Sequence, residues 1–181
     1  RSFRQICLDY NTDALEDGRD RRHLDPARIR AFFSRQDPVR YAEFCREIHL
    51  DAALLLAVPC GGYTTYRPTQ AGVPYPGMQG DFFGETIREL HRRSITALAY
   101  IIIGWNVKDA HEHPEVRSGP FPYQLICLNS PYGELLVAYT REVMTQYPID
   151  GLRYDILDQP TQCRCEGCRR FYQATYGAPM P

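Results

Sequence analysis

The stretch Ile149-Asp150-Gly151-Leu152-Arg153-Tyr154-Asp155-Ile156-Leu157-Asp158 sets two charged side chains inside an apolar run. Alternation along a strand puts Gly151, Arg153 and Asp155 on one face, with Leu152, Tyr154 and Ile156 on the other. Three further runs share its near-continuous apolar character: Gln5–Tyr10, Ala52–Val58 and Thr96–Gly104. Such runs suit strands of a parallel sheet, which are covered on both faces. Between them lie helix candidates. Pro38–His49 spaces Val39, Phe44 and Ile48 for one face, and Phe82–Arg93 does so with Phe83, Ile87 and Leu90. Gly133–Gln146 carries Leu136, Tyr139, Val143 and Met144, and Cys163–Tyr176 holds a fourth helix.

Strand–helix alternation predicts an α/β fold. Successive strands start roughly 45–55 residues apart, so the loops carry insertions, and the long ones follow the strands: Gly61–Gly80, Trp105–Gln124 and Asp158–Gln162. In a (β/α)8 barrel such loops build the active-site face. No Gly-x-Gly-x-x-Gly or Walker-type loop follows a strand, which argues against a nucleotide site. Four βα units are half of a barrel that usually takes about 250 residues. Residues 1–181 are therefore expected to form one partial domain, the N-terminal half of a (β/α)8 TIM barrel and a fragment of a longer chain. Two open sheet edges would then leave the piece inactive alone. The chain has 21 basic and 22 acidic residues, 44% hydrophobic and 12% aromatic content. That balance excludes a nucleic-acid footprint, a membrane span and a disordered chain. Nothing after Arg1 reads as a signal peptide.

The chemistry-bearing residues cluster at predicted strand ends. Asp155, two residues from Arg153, is expected to stay ionised through charge pairing, which suits a nucleophile or a stabiliser of a cationic transition state. A structural Asp–Arg pair or a helix N-cap is the competing role. Asp9 ends the first strand, Tyr63 and Tyr66 follow the second, and Trp105 and Asn106 end the third. Aromatic rings beside Asp and Asn are what sugar rings require, since CH faces stack on π surfaces and hydroxyls need partners. Asp9, Tyr63, Trp105 and Asn129 are the expected pocket residues. His111 and His113, spaced i, i+2 before Pro114, are a metal-ligand alternative that reads better as solvated surface. Seven cysteines include Cys163-x-Cys165-x-x-Cys168. Three such sulfurs reach one ion, and tetrahedral zinc wants a fourth ligand, from Cys127 or Cys60. Free or metal-bound thiols point to a reducing, cytoplasmic setting. No organic cofactor is expected.

From Tyr66 to Pro181 the chain resembles the hypothetical glycosyl hydrolase 6 family, a relative of the family 29 α-L-fucosidases. The landmarks are Tyr66-Arg-Pro-Thr69, Pro76-Gly-Met, Asp81-Phe-Phe-Gly84, Ile103-Gly-Trp105, His113-Pro, Cys127-Leu-Asn-Ser-Pro-Tyr132, Tyr147-Pro-Ile-Asp-Gly151, Asp155 and the terminal cysteines. The opening Cys7-Leu-Asp-Tyr-Asn-Thr12 is similar to the family's first strand. The resemblance implies a (β/α)8 barrel with a glycosidase pocket and Asp155 as nucleophile. A second likeness, Cys-x-Asn-Ser-Pro followed by Cys-x-Cys-x-x-Cys, is similar to family 42 β-galactosidases. It implies structural zinc on Cys127, Cys163, Cys165 and Cys168, choosing Cys127 over Cys60. The chain departs from the pattern where Cys7, Asn11, Cys60 and Gly61 stand in place of histidines that bind sugar hydroxyls. The general acid/base of such enzymes lies beyond the fourth strand. The functional expectation is a glycoside hydrolase acting on a carbohydrate substrate; the alternative is a non-catalytic carbohydrate-binding barrel.

Overall fold

The computed structural model describes residues 3–8, 26–118, 125–157 and 163–181. The chain runs through β1 (Gln5–Leu8), α1 (Pro26–Phe33), α2 (Pro38–Glu47), β2 (Ala52–Val58), α3 (Phe82–Arg92), β3 (Thr96–Ile102) and α4 (Val107–Glu112). An antiparallel pair follows, β4 (Arg117–Ser118) with β5 (Leu125–Ile126), and then α5 (Tyr132–Gln146), β6 (Gly151–Asp155) and α6 (Glu166–Tyr176). β1, β2, β3 and β6 form one parallel sheet in that spatial order. Neighbours in space are neighbours in chain order, as in consecutive βα units.

Side-chain size sorts the two faces of this sheet. Ala53, Leu55, Ala57, Ala97, Ala99 and Ile101 pack with Phe83, Ile87 and Leu90 of α3, Tyr139 and Val143 of α5, and Ala42 and Cys45 of α2. The alanines leave room for helix backbones to approach. The opposite face carries Leu54, Leu56, Tyr100 and Ile102, with Leu98 half-buried beside them. Every residue of β2 is buried, which explains its unbroken apolar run. β6 is half-buried to exposed along its length and pairs only with β3 among the described residues, so polar residues are tolerated there.

Local chemistry sets the helix starts. Asp37 caps α2, its Oδ1 accepting from Val39 N at 3.0 Å and Arg40 N at 3.1 Å, and Pro38 supplies a preset first turn. Asp81 caps α3 by accepting from Gly84 N at 3.2 Å. Asp150 ties the entry of β6 to β3, accepting from Ala97 N at 2.7 Å and meeting His91 Nε2 at 2.8 Å. Glu142 on α5 anchors the loop after β2. It accepts from Tyr66 Oη at 2.9 Å, Thr69 Oγ1 at 2.7 Å, Ala71 N at 3.0 Å and also Gln70 N.

Several expectations change. α2 turns Ala42 and Cys45 inward while Val39, Phe44 and Ile48 are exposed, because small side chains suit the alanine-lined face beneath. Met144 likewise points out from α5, whereas Tyr139 and Val143 are buried. Ile156 leaves the face of Leu152 and Tyr154: with φ +54° it ends the alternation and packs with the inner cluster. The sequence reading placed no helix at α1 or α4. Within the run Gln5–Tyr10, residues 9 and 10 lie outside the described residues.

The reassigned face of α2 has a measurable consequence. Ile87→Ala in α3, at a fully buried position, is expected to cost about 2–5 kcal/mol in urea unfolding. Phe44→Ala, at a position 48% exposed, is expected to stay within about 0.5 kcal/mol. Comparable losses would return Phe44 to the core.

Candidate active site and cysteine centre

Parallel pairing of β3 with β6 aligns Tyr100 with Arg153 and Ile102 with Asp155, on the face away from the helices. The Tyr100 hydroxyl donates to Asp155 Oδ2. The Arg153 guanidinium lies 5.7 Å from the centroid of the Tyr100 ring, a cation–π distance. Ile156 adopts the left-handed region directly after Asp155, a conformation that a β-branched residue rarely takes. The turn is held from β3, where Ile103 N donates to Asp155 O and Gly104 N to Ile156 O, both at 2.9 Å.

The electrostatics favour a carboxylate at this position. The Tyr100 hydrogen bond holds the Asp155 carboxyl below its usual range against the opposing effect of partial burial, helped by the Ile156 backbone N–H and the Arg153 charge. Burial, the Asp155 hydrogen bond and the negative charge of Asp155 together push the Tyr100 hydroxyl upward. The pair is thus a neutral phenol donating to a carboxylate. Sequence reasoning gave this supporting role to Arg153 and missed Tyr100, since its partner is 55 residues away. The available signal was its position on a strand facing the same way as Asp155.

The other pocket candidates separate. Tyr63 packs against Tyr75 with centroids 5.4 Å apart, and Tyr75 against Phe33 of α1 at 5.5 Å. Phe33 also joins the inner cluster, as does Trp105. An aromatic wall thus runs from the loop after β2 towards the Tyr100 face. Tyr66 does not belong to it, because its ring sits in the helix-side core with Phe83 and Tyr147. Asn106 is buried as the cap of α4, accepting from Asp109 N at 2.9 Å and donating to Asp109 Oδ2 at 2.6 Å. Asn129 belongs to the cysteines, its Nδ2 donating to Cys168 Sγ at 3.5 Å. Asp9 lies outside the described residues. His111 and His113 are both exposed, and His113 groups with Asp109 and Glu112, without His111.

The sulfurs of Cys127, Cys163, Cys165 and Cys168 all lie within 4.8 Å of one another, with Cys127 and Cys168 at 3.3 Å. Cys60 is buried in the inner cluster instead. Tetrahedral zinc with bonds of about 2.3 Å requires sulfurs about 3.8 Å apart, so the donor set suits that ion in number, type and spacing. No disulfide joins the cysteines among the described residues. Burial, with hydrogen bonding to Cys168, raises the Cys127 thiol. Cys168 is partly buried, yet donors from Asn129, Cys127, Cys163 and Cys165 hold it below its ordinary value.

No family model matches the chain, and no curated protein matches it. Solved structures do. α-L-Fucosidase isoenzyme 2 from Paenibacillus thiaminolyticus superposes with a TM-score of 0.77 at 22% identity, covering 97% of this chain and 26% of that one. The Thermotoga maritima α-fucosidase in complex with fucose gives 0.56 at 12% identity, covering 80% and 34%. A hypothetical protein from Ruminiclostridium thermocellum gives 0.56 at 11%, covering 68% and 71%. The chain shares its fold with α-L-fucosidases and spans about a quarter of the length of the first of these.

Removing the Tyr100 hydroxyl should raise the pKa of Asp155, because the hydrogen bond that stabilises the ionised form disappears. A carbon-detected NMR titration of Tyr100→Phe against the unaltered chain measures this. An unchanged or lower Asp155 pKa would remove Tyr100 from the site.

Proposed function

We propose that this chain is part of a (β/α)8 glycoside hydrolase in which Asp155 is the nucleophile. The observation that carries the reading is an ionised carboxylate at the C-terminal end of β6, on the face away from the helices, held by the Tyr100 hydroxyl. Three further facts support it. The parallel strands follow chain order with α2, α3 and α5 packed on one face, as in consecutive barrel units. The fold is that of α-L-fucosidases, one of which is described in complex with fucose. Partly buried rings from three segments, Phe33, Tyr63 and Trp105, pack around the inner clusters, and a sugar's CH face would stack on such rings.

In this reading a carboxylate oxygen of Asp155 attacks the anomeric carbon as the bond to the leaving oxygen breaks. The bonding pair departs with that oxygen, which takes its proton from a general acid. Water then cleaves the glycosyl ester and frees the carboxylate. Tyr100 holds Oδ2 and fixes the carboxyl plane, and the Arg153 charge adds a smaller effect in favour of the ionised Asp155. The general acid is assigned to barrel units other than the four seen here. We assign Cys127, Cys163, Cys165 and Cys168 as ligands of a structural zinc. Four protein donors leave no open position for substrate, so the ion would join segments and take no part in bond cleavage.

Two measurements test these assignments. In the complete protein, Asp155→Asn is expected to lower turnover of aryl glycosides, aryl α-L-fucoside among them, by about 10³-fold or more. Retained turnover would remove Asp155 as nucleophile, and sugar binding without hydrolysis by the unaltered protein would favour a carbohydrate-binding barrel. Elemental analysis is expected to find one zinc per chain, released when the cysteines are alkylated. Disulfides among Cys163, Cys165 and Cys168 in the native protein would overturn the zinc assignment.

A further inference from the structure

A helix normally docks by burying an apolar stripe, and its stability in a protein comes mainly from that packing. α6 has no buried residue. Of its large apolar side chains, Phe171 and Tyr176 are 60% and 67% exposed and Tyr172 is half-buried. Further along α6, Arg170 meets Glu166 at 3.6 Å and Tyr172 packs with Tyr176 at 4.6 Å between centroids. What joins α6 to the rest of the described chain is gathered at its first turn. Cys168 Sγ meets Cys127 Sγ at 3.3 Å and accepts from Asn129 Nδ2 at 3.5 Å. Gly167 packs so tightly against the Cys127–Ser130 turn that a Cβ there would sit 1.7 Å from Asn129 O.

From this we propose that metal held by the four cysteines is the docking element of α6, so that order over residues 163–176 depends on the metal. The proposal rests on the zinc assignment above and goes beyond it, from what binds to what binding controls. The turn from Cys127 to Ser130 belongs to the framework. Cys127 is buried, its carbonyl accepts from Ser130 Oγ and from Ser130 N at 3.1 Å, and α5 starts directly after it. Cys163, Cys165 and Cys168 belong to the arriving segment. One ion bonded to both sides replaces the apolar interface that α6 lacks, and binding free energy becomes docking free energy. Without the ion, four thiols, one weak N–H···S contact and the packing of Gly167 on the Cys127–Ser130 turn remain. A free helix of this length is marginal in water, so α6 should fray as well as separate. The β2–β3 core shares no side chain with this joint and should keep its order.

Hydrogen exchange read by mass spectrometry on the complete protein tests this, with zinc content measured on each sample. With zinc bound, amides of residues 168–176 are expected to be protected. After chelation they should exchange at least about tenfold faster while β2 and β3 amides are unchanged, and adding zinc back should restore protection. Cys168→Ser is expected to reproduce the chelated pattern, whereas Cys60→Ala, outside the centre, should leave α6 protection metal-dependent. If zinc binds but α6 exchange is indifferent to its removal, docking by metal is wrong while the zinc assignment stands. If the β2–β3 core loses protection together with α6, the ion supports the whole fold and local docking is equally wrong. If the native protein carries no zinc, the assignment and the docking proposal fall together.

Discussion

β2 is buried from end to end, and most of the architecture follows from covering it. A strand with no polar residue needs sheet partners on both edges and packing layers on both faces. β1 and β3 supply the edges, and α2, α3 and α5 supply one face through an interface built on alanines. The other face is filled by larger side chains, Leu54, Leu56, Tyr100 and Ile102. That division decides where chemistry can occur. The helix side is close-packed around small residues and leaves no room for a ligand. The opposite side ends, at the strand C-termini, in a mixture of aromatic rings and one ionised carboxylate.

Burial falls off across the sheet, and the site lies where it has fallen far enough. Asp155 and Arg153 belong to β6, which is less buried than β2 or β3, yet Tyr100 reaches Asp155 from the better buried β3. A carboxylate deeper in the sheet would face a desolvation cost that raises its pKa and neutralises it. One on an open loop would lack a fixed partner. At the end of β6 a single phenol is enough to tilt the balance towards the ionised form, and the backbone turn at Ile156 adds a second donor. Glu142 performs a related task on the other side of the sheet. Its carboxylate gathers backbone and hydroxyl donors from the loop after β2, whose opposite end carries the Tyr63–Tyr75 stack. Both carboxylates are half-buried; what separates them is their partners, a phenol across the sheet for Asp155 and the donors of a whole loop for Glu142.

Strand runs, the α3 stripe and the cysteine spacing were legible in sequence because each expresses a local rule: alternation or continuity of apolar residues, helical period, ligand spacing. The α2 face was not, since Val39, Phe44 and Ile48 satisfy a hydrophobicity argument while the site demanded small residues. Only the alanines of β2 and β3, across a different part of the chain, decide between them. Tyr66 and Tyr63, three residues apart in one loop, went to opposite sides of the sheet because the Tyr66 hydroxyl has a partner on α5. Asn129 was read as a sugar ligand because an amide in a strand-end loop looks like one; its role is set by sulfurs 34 to 39 residues later. Tyr100 was hidden for the same reason, being a core aromatic by pattern and a carboxylate donor only by register.

The carboxylate centre and the sulfur centre are built on opposite principles. Asp155 is held by groups that the fold already positions, so its geometry exists without a ligand. The cysteine centre joins two pieces of chain with little apolar surface between them, so its geometry depends on what the sulfurs hold. The two are consecutive in sequence: β6 delivers Asp155, and the chain next reaches Cys163. A barrel strand must be followed by a helix returning over the outer face, and an ordinary βα unit secures that return by apolar packing. α6 has the helix without the packing. Ligation by sulfur in the proposed zinc centre would meet the same topological requirement at one point, and the outward side chains of α6, Phe171 and Tyr176 among them, stay exposed.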